Sequence, residues 1–290
     1  MLCNWCSSEE VCKEFRKQLS SELASQITLT WTDDPANVDY WVILNYPRVD
    51  CGYYDPKRTL VFRLEPWCGE PWQTWGAKTW GEWAFPDPTK FLYVHAGPTP
   101  VFWQCQKTAD EILALPPAKP DQKQCRIAHV ASAKYTDPGQ KQRIDFLRFL
   151  EEKGDIPLAI YGKENYHKFR SYVGRVPEET TDAVFATSQY SFMCENNAEH
   201  NYITEKIWEP ILCETLCFYS GPPNAAEILT EGTYVPLDMT DFEASYQIVK
   251  KALQENWWDS RRELLRAERS RILKELNLLS VIYRIINSKN

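Results

Sequence analysis

Glu195-Asn196-Asn197-Ala198-Glu199-His200-Asn201-Tyr202-Ile203-Thr204-Glu205-Lys206-Ile207-Trp208 is the stretch on which the reading of this chain turns. Its polar run gives way to apolar residues at Ile207, Trp208, Ile211 and Leu212. Their spacing of three and four predicts an amphipathic helix with Asn201 or Thr204 near its N-cap. The unpaired N–H groups and positive dipole end of such a helix favour an anion. Lys206 adds a full positive charge in the first turn, where the dipole alone disfavours one, and this points to a bound diphosphate. For an isolated Thr-Glu-Lys the plainer reading, a solvated pair capping a turn, is the better one; the context changes that. Downstream come an apolar strand-like run over 215–219, the turn Ser220-Gly221-Pro222-Pro223-Asn224, a short helix over 225–230 and a strand over 233–237. This alternation is that of an α/β domain with a parallel sheet, where ligands gather at loop-to-helix junctions.

Working outward, 290 residues with 43% hydrophobic content suffice for two α/β domains. A net charge of -7 argues against a nucleic-acid binder or a polybasic membrane protein. Any phosphate site must therefore be a local concentration of positive charge. No apolar run approaches the roughly 20 residues that span a bilayer, and the N-terminus lacks a charged-then-apolar signal pattern. The expectation is a soluble, cytoplasmic chain. Ten cysteines are spread along it and read as mostly reduced thiols. Cys3-Asn4-Trp5-Cys6 has the spacing of a zinc or redox pair, but no second pair completes a four-ligand site. The four histidines are scattered, and no Asp-x-Asp motif is present to hold a cation on a diphosphate. The expectation is chemistry without a metal or other cofactor.

Early segments predict a helix over 8–23 and strands over 27–31, 40–44 and 60–62. A short helix over 108–115 and the proline-rich 116–121 mark the boundary, so the expected domains are 1–120 and 121–290. The second begins with a strand over 125–131, a helix over 140–152, a strand over 158–161 and an apolar run over 190–193. From Phe242 the chain reads as a helical tail with a solvated, charged face.

These residues resemble a known family. Tyr190-Ser191-Phe192-Met193-Cys194-Glu195-Asn196-Asn197, then Tyr202-Ile203-Thr204-Glu205-Lys206-Ile207, then Phe218-Tyr219-Ser220-Gly221, are similar to the signature of the fucosyltransferases of glycosyltransferase family 10. Fainter likenesses are Asn4-Trp5 with Ser8-Glu9-Glu10, the segment 60–66 ending near the family's Glu, and Gln142-Arg143 on the first helix of the second domain. The resemblance implies a GT-B fold, two Rossmann-like domains facing a central cleft, with GDP-fucose held mainly by the C-terminal one. It implies an inverting transfer of L-fucose to a glycan acceptor. The chain departs from the family at Met193-Cys194-Glu195-Asn196, Trp208-Glu209-Pro210 and Pro222-Pro223-Asn224. These positions bear on the donor, so another nucleotide sugar such as UDP-xylose stays open, as does a glycan- or nucleotide-binding module without catalysis.

An inverting transferase needs one group to take the acceptor's proton and positive groups to stabilise the departing diphosphate. Arg143 and Lys206 are the candidates for the diphosphate, Arg143 through its planar fork and Lys206 as a point charge. Glu205 and Asn196 are candidates for ribose or sugar hydroxyls, with Tyr202 packing near them. The plainer roles are a surface ion pair for Arg143, capping for Asn196 and Glu205, and core packing for Tyr202. Glu65, following a strand and preceding Pro66-Trp67, is the candidate general base, with Glu70 and Glu82 as rivals. Trp67, Trp72, Trp75, Trp80 and Trp83 form a cluster able to stack on sugar C–H faces, although most such residues belong to cores.

Overall fold

The computed structural model describes residues 1–27, 29, 34–95, 100–177 and 180–289. The strand expected over 27–31 falls mostly outside the described residues. The chain forms two compact units, Met1–Val101 with Lys107–Glu111 and Leu273–Asn290, and Phe102–Gln106 with Ile112–Ile272. The sequence reading drew its line at 120/121 and gave the tail to the later half; here the last residues join the first unit. Their attachment is a bridge at Val101, whose N–H donates to Leu276 O (3.3 Å) and whose carbonyl accepts from Leu278 N–H (2.9 Å). Among the described residues no helix is long and apolar enough to cross a membrane.

The first unit is built on a four-stranded parallel sheet in the order β1 (Leu2–Cys3), β2 (Trp41–Leu44), β3 (Thr59–Phe62), β4 (Tyr93–Val94). β2 and β3 are buried along their whole length, as their unbroken apolar runs require in a parallel sheet covered on both faces. The expected helix over 8–23 is two, α1 (Ser8–Arg16) and α2 (Ser21–Ala24). Serine explains the break: Ser7 caps α1 in a capping box with Glu10, and Ser20 Oγ accepts from Leu23 N–H at 3.2 Å to start α2. A short helix, α3 (Ala109–Leu113), completes the part that precedes the second sheet.

The second unit carries six parallel strands, β5 (Gln124–Val130), β6 (Leu158–Tyr161), β7 (Tyr172–Gly174), β8 (Ser188–Cys194), β9 (Leu216–Ser220) and β10 (Tyr234–Pro236). Their spatial order is β7-β6-β5-β8-β9-β10. Successive strands run outward in one direction from β5 and in the other from β8, so the order reverses between these two. At such a reversal a crevice opens outside the carboxyl ends of the strands, and ligands bind there. α4 (Pro138–Lys153) follows β5, with Pro138 at its first position and Gly154 closing it at φ 75°. α5 (Thr181–Phe185) precedes β8, and α6 (Glu205–Leu212) joins β8 to β9 with Thr204 as its N-cap. The expected helix over 225–230 is only a 3₁₀ turn, Ala225–Glu227. The charged tail is α7 (Phe242–Gln254), α8 (Trp257–Ser260), α9 (Arg262–Arg271), a π-helical turn over Ile272–Leu276 and α10 (Leu278–Lys289).

Candidate active site

The loop that leaves β8 begins with a buried carboxylate. Glu195 is 1% exposed and gathers donors from three segments. Thr204 N–H reaches its Oε1 at 2.9 Å, the Thr204 hydroxyl lies 2.8 Å from its Oε2, and the Tyr219 hydroxyl of β9 donates to Oε1 at 3.0 Å. Lys206 Nζ stands 3.4 Å from Oε2. The same ammonium donates to Thr204 Oγ1 at 3.0 Å and pairs with Glu205 Oε1 at 3.1 Å. The positive charge that the helix dipole disfavours is thus answered by two carboxylates. Burial works most strongly against the Lys206 charge, but Glu195 and Glu205 outweigh it and hold its pKa above the ordinary lysine value, with Arg143 opposing them. Burial likewise pushes the Glu205 carboxyl upward, and Lys206 beside it pulls it below the usual glutamate value.

Arg143 reaches the same strand end from α4. Its side chain is not the surface ion pair of the plainer reading: the residue is buried, and the guanidinium donates through Nε to Cys194 O (3.1 Å), through Nη2 to the same carbonyl, and through Nη2 to Asn196 Oδ1 (3.0 Å). Its charge is felt at Lys206. The structure therefore brings Arg143, Asn196, Glu205 and Lys206 together at the carboxyl edge of β8, beside the strand-order reversal. Tyr202 lies in the loop between them and is buried. That loop is held by Asn201, in the left-handed region at φ 68°, whose N–H donates to Asn224 Oδ1 (2.9 Å) while Asn224 Nδ2 donates back to Asn201 Oδ1 (2.8 Å). Behind Arg143, fully buried His129 on β5 donates through Nδ1 to Phe192 O at 2.7 Å. Burial and the Arg143 charge press its pKa down to about 3, so it adds no third positive charge.

In the first unit, Glu65 stands three residues beyond β3. Asn45, buried and at φ 64°, extends the sheet past its last strand residue: its Oδ1 accepts from Leu64 N–H at 2.8 Å, and its Nδ2 donates to Asn4 Oδ1 at 3.1 Å. The backbone next to Glu65 is thereby fixed. His95, just past β4, is braced by Tyr93, whose hydroxyl is 3.0 Å from Nδ1, and lies against the Phe62 ring at 5.1 Å. The tryptophans divide. Trp83 packs on Phe91 and Tyr54 in the core, and Trp80 on Tyr46. Trp67 and Phe85 lie ring to ring at 4.9 Å and remain exposed, as does Trp72. The backbone of Pro66 and Trp67 accepts from Ala77 N–H (2.8 Å) and Lys78 N–H (3.1 Å), so the platform is held from below.

Cys3 and Cys6 bring their sulfurs to 3.5 Å. Burial and Cys3 push the Cys6 thiol up to about 12, so at neutral pH it is a protonated thiol. Among the described residues no group of three or more His, Cys, Asp or Glu is placed to hold a metal ion. Sequence reasoning gave no role to Glu195, Asn45 or Gly139. For Glu195 a partial signal existed, since it directly follows Tyr190-Ser191-Phe192-Met193-Cys194, a run apolar but for one serine, in a strand that is buried along all seven residues.

A profile described as glycosyl transferase-like matches residues 141–286, just over half of the chain. No curated protein sequence matches. Among solved structures, an α1,3-fucosyltransferase with GDP is similar at a TM-score of 0.51 and 15% identity, over 96% of this chain and 92% of that one. An α1,3-fucosyltransferase with GDP-fucose gives 0.50 and 14%, over 99% and 88%. A glycosyltransferase from Rickettsia africae ESF-5 gives 0.51 and 12%, over 97% and 79%. At such identities the likeness concerns the fold, and it shows the α/β, GT-B class expected from the sequence.

Proposed function

Since the chain belongs to the glycosyl transferase-like family, we propose that it is an inverting, metal-independent glycosyltransferase carrying L-fucose from GDP-fucose to a hydroxyl of a glycan acceptor. One observation supports this above the others. Two cations from different elements, Arg143 and Lys206, meet at the carboxyl edge of a sheet with reversed strand order, in a chain that is acidic overall. Such a pair suits a nucleotide's two phosphates, Arg143 as a planar donor and Lys206 as a point charge. Among the described residues Nη1 of Arg143 has no partner, while Nε and Nη2 are used to aim the group.

In the reaction the acceptor oxygen forms a bond to the anomeric carbon as the bond from that carbon to the diphosphate oxygen breaks. The bonding pair leaves with the diphosphate, whose growing charge Arg143 and Lys206 stabilise. The acceptor proton passes to Glu65, held at the end of β3 through Asn45. Asn196 and Glu205 take ribose or sugar hydroxyls, and Tyr202 packs beside them. The exposed Trp67 and Phe85 rings, two and twenty residues beyond Glu65, offer apolar faces to the acceptor's C–H surface.

The test is transfer and donor hydrolysis across a panel of nucleotide sugars, in the presence and absence of a chelator. GDP-fucose should be the donor consumed, with the rate indifferent to the chelator. Lys206→Ala should weaken donor binding by about tenfold or more and lower turnover with it. Glu65→Gln should bind donor normally and lose about 100-fold or more in transfer. An unchanged rate in that variant moves the base to Glu70, Glu82 or His95, and consumption of UDP-xylose instead replaces the donor.

A further inference from the structure

We propose that Glu195 is the positioning residue of the donor site, a buried carboxylate that sets the place and direction of the Lys206 ammonium and so presents a fixed positive charge to the donor's diphosphate. This rests on the donor-site reading above and adds to it a residue that touches no substrate.

A lysine on its four-carbon stem loses about 2 kcal/mol of rotamer freedom when fixed, and at the first turn of a helix the dipole repels it. Left to itself, Lys206 would swing outward. Three acceptors hold its head: Thr204 Oγ1 at 3.0 Å, Glu205 Oε1 at 3.1 Å and Glu195 Oε2 at 3.4 Å. Of these, Glu205 is its chain neighbour and moves with α6. Glu195 is anchored elsewhere, at the end of β8, and is locked by Thr204 and by Tyr219 of β9. The Thr204 hydroxyl donates to Glu195 and accepts from Lys206, so it couples the two. The carboxylate thus ties the ammonium to the frame of the sheet, on which Arg143 is also anchored through Cys194 O. Both cations are referred to one strand end, which fixes the distance between them, and recognition of two linked phosphates depends on that distance.

The charge of Glu195 matters as well as its shape. The groups facing Lys206 are Glu195 from the β8 loop, Glu205 from α6 itself and Arg143 from α4, with Cys194 of β8 and Tyr219 of β9 around the carboxylate. If Glu195 is made neutral, burial and Arg143 act against the ammonium with only Glu205 opposing them. Glu195→Gln is the discriminating variant. With its amide oxygen at the Oε1 position, Gln keeps the acceptor for Thr204 N–H, the Thr204 hydroxyl and the Tyr219 hydroxyl, and gives up the second acceptor at Oε2 together with the ion pair.

Binding of GDP and of inorganic pyrophosphate is measured by calorimetry from about pH 6.5 to about pH 10, on wild type, Glu195→Gln and Glu195→Ala, with thermal unfolding of each. In wild type, affinity should hold until lysine deprotonates. In Glu195→Gln the alkaline loss of affinity should move to lower pH by about one unit. In Glu195→Ala, affinity at neutral pH should fall about tenfold or more, with Lys206 and Arg143 still in the chain. A carboxylate that served only the fold would lower the melting temperature of Glu195→Gln and leave the alkaline limb in place; that result overturns the proposal. If wild type binds neither GDP nor pyrophosphate, the donor-site reading falls first, and this inference with it.

Discussion

The two sheets end differently. The carboxyl edge of the second is closed by compact junctions: β8 passes to α6 through residues 195–204, with charged groups buried there and answered by one another. The edge of the first is dominated by residues 63–92, a long stretch between β3 and β4 with only 3₁₀ turns and rich in aromatic rings. On the function proposed above, the edge of the second sheet takes the fixed chemistry of a nucleotide. On the same proposal the first edge takes an acceptor read through shape and stacking, since long irregular loops are where recognition is varied without disturbing the frame.

The sharpest way to break this contrast is at Gly139, on the first turn of α4. Its N–H donates to Asn196 O at 3.1 Å, and a Cβ there would lie 1.7 Å from Glu195 O. Alanine is favoured over glycine by roughly 1 kcal/mol in a helix. The clash sets backbone against backbone, however, and overpacking costs about 3 kcal/mol or more when no side chain can yield. The steric effect should win. Gly139→Ala should lower stability by about that amount and speed amide exchange in α4 and the β8 loop, with little change around β3. Urea denaturation and exchange mass spectrometry check this, and an unchanged midpoint would show that the second edge is not tightly built.

A smaller effect should come from pH. Glu209 of α6 is buried, accepts from Gln104 N–H at 2.8 Å and from the Thr181 hydroxyl, and is pushed by burial from the ordinary 4.5 to about 7. Between these values the folded protein holds a proton that the unfolded chain has released. Stability should therefore fall as pH rises from about 4.5 to about 7, by about 3 kcal/mol in the limit of no relaxation. Glu209→Gln should flatten that slope, its amide oxygen accepting from Gln104 N–H and its amide nitrogen donating to the Thr181 hydroxyl oxygen. Denaturation midpoints at intervals across the window measure it, and a slope unaltered in the variant would assign the titration to another group.

How much of this was legible follows the same division. Thr204, Lys206, the apolar periodicity of α6 and the alternation around it were open to sequence reasoning, because capping and amphipathic spacing are local. Arg143 was found only through resemblance. Its solvated alternative failed because the Cys194 carbonyl that holds it lies 51 residues away in sequence. Glu195 directly follows β8 and Tyr219 lies on the adjacent β9, a pairing that a local pattern does not state. In the first unit Asn45 directly follows a strand, a place where local pattern alone marks only a turn. Its function depends on Leu64, which reaches it only through the register of β2 and β3. The last residues of the tail likewise join the first unit through long-range contacts that no local pattern states, the bridge at Val101 and the Lys274–Glu22 ion pair among them.

The first edge can be tested by the gentlest of these changes. Asn45→Ala removes the acceptor of the buried Leu64 N–H, which costs about 1–3 kcal/mol when no water replaces it. It also places alanine at φ 64°, where a side chain without a hydrogen-bonding group is disfavoured by about 1 kcal/mol. Asn45→Gly relieves the second effect and keeps the first, so the difference between the two variants separates strain from the lost bond. Asn45→Gly should destabilise by about 2 kcal/mol and Asn45→Ala by about 1 kcal/mol more, and both should raise amide exchange over residues 59–68. If Glu65 is the base, both should lower the transfer rate at saturating donor and leave the affinity for GDP unchanged, because the cations proposed for the nucleotide stand on the other sheet. Weakened GDP binding in Asn45→Gly, with exchange in the β8 loop unchanged, would mean that the first edge takes part in holding the donor, and the division of labour drawn here would have to be given up.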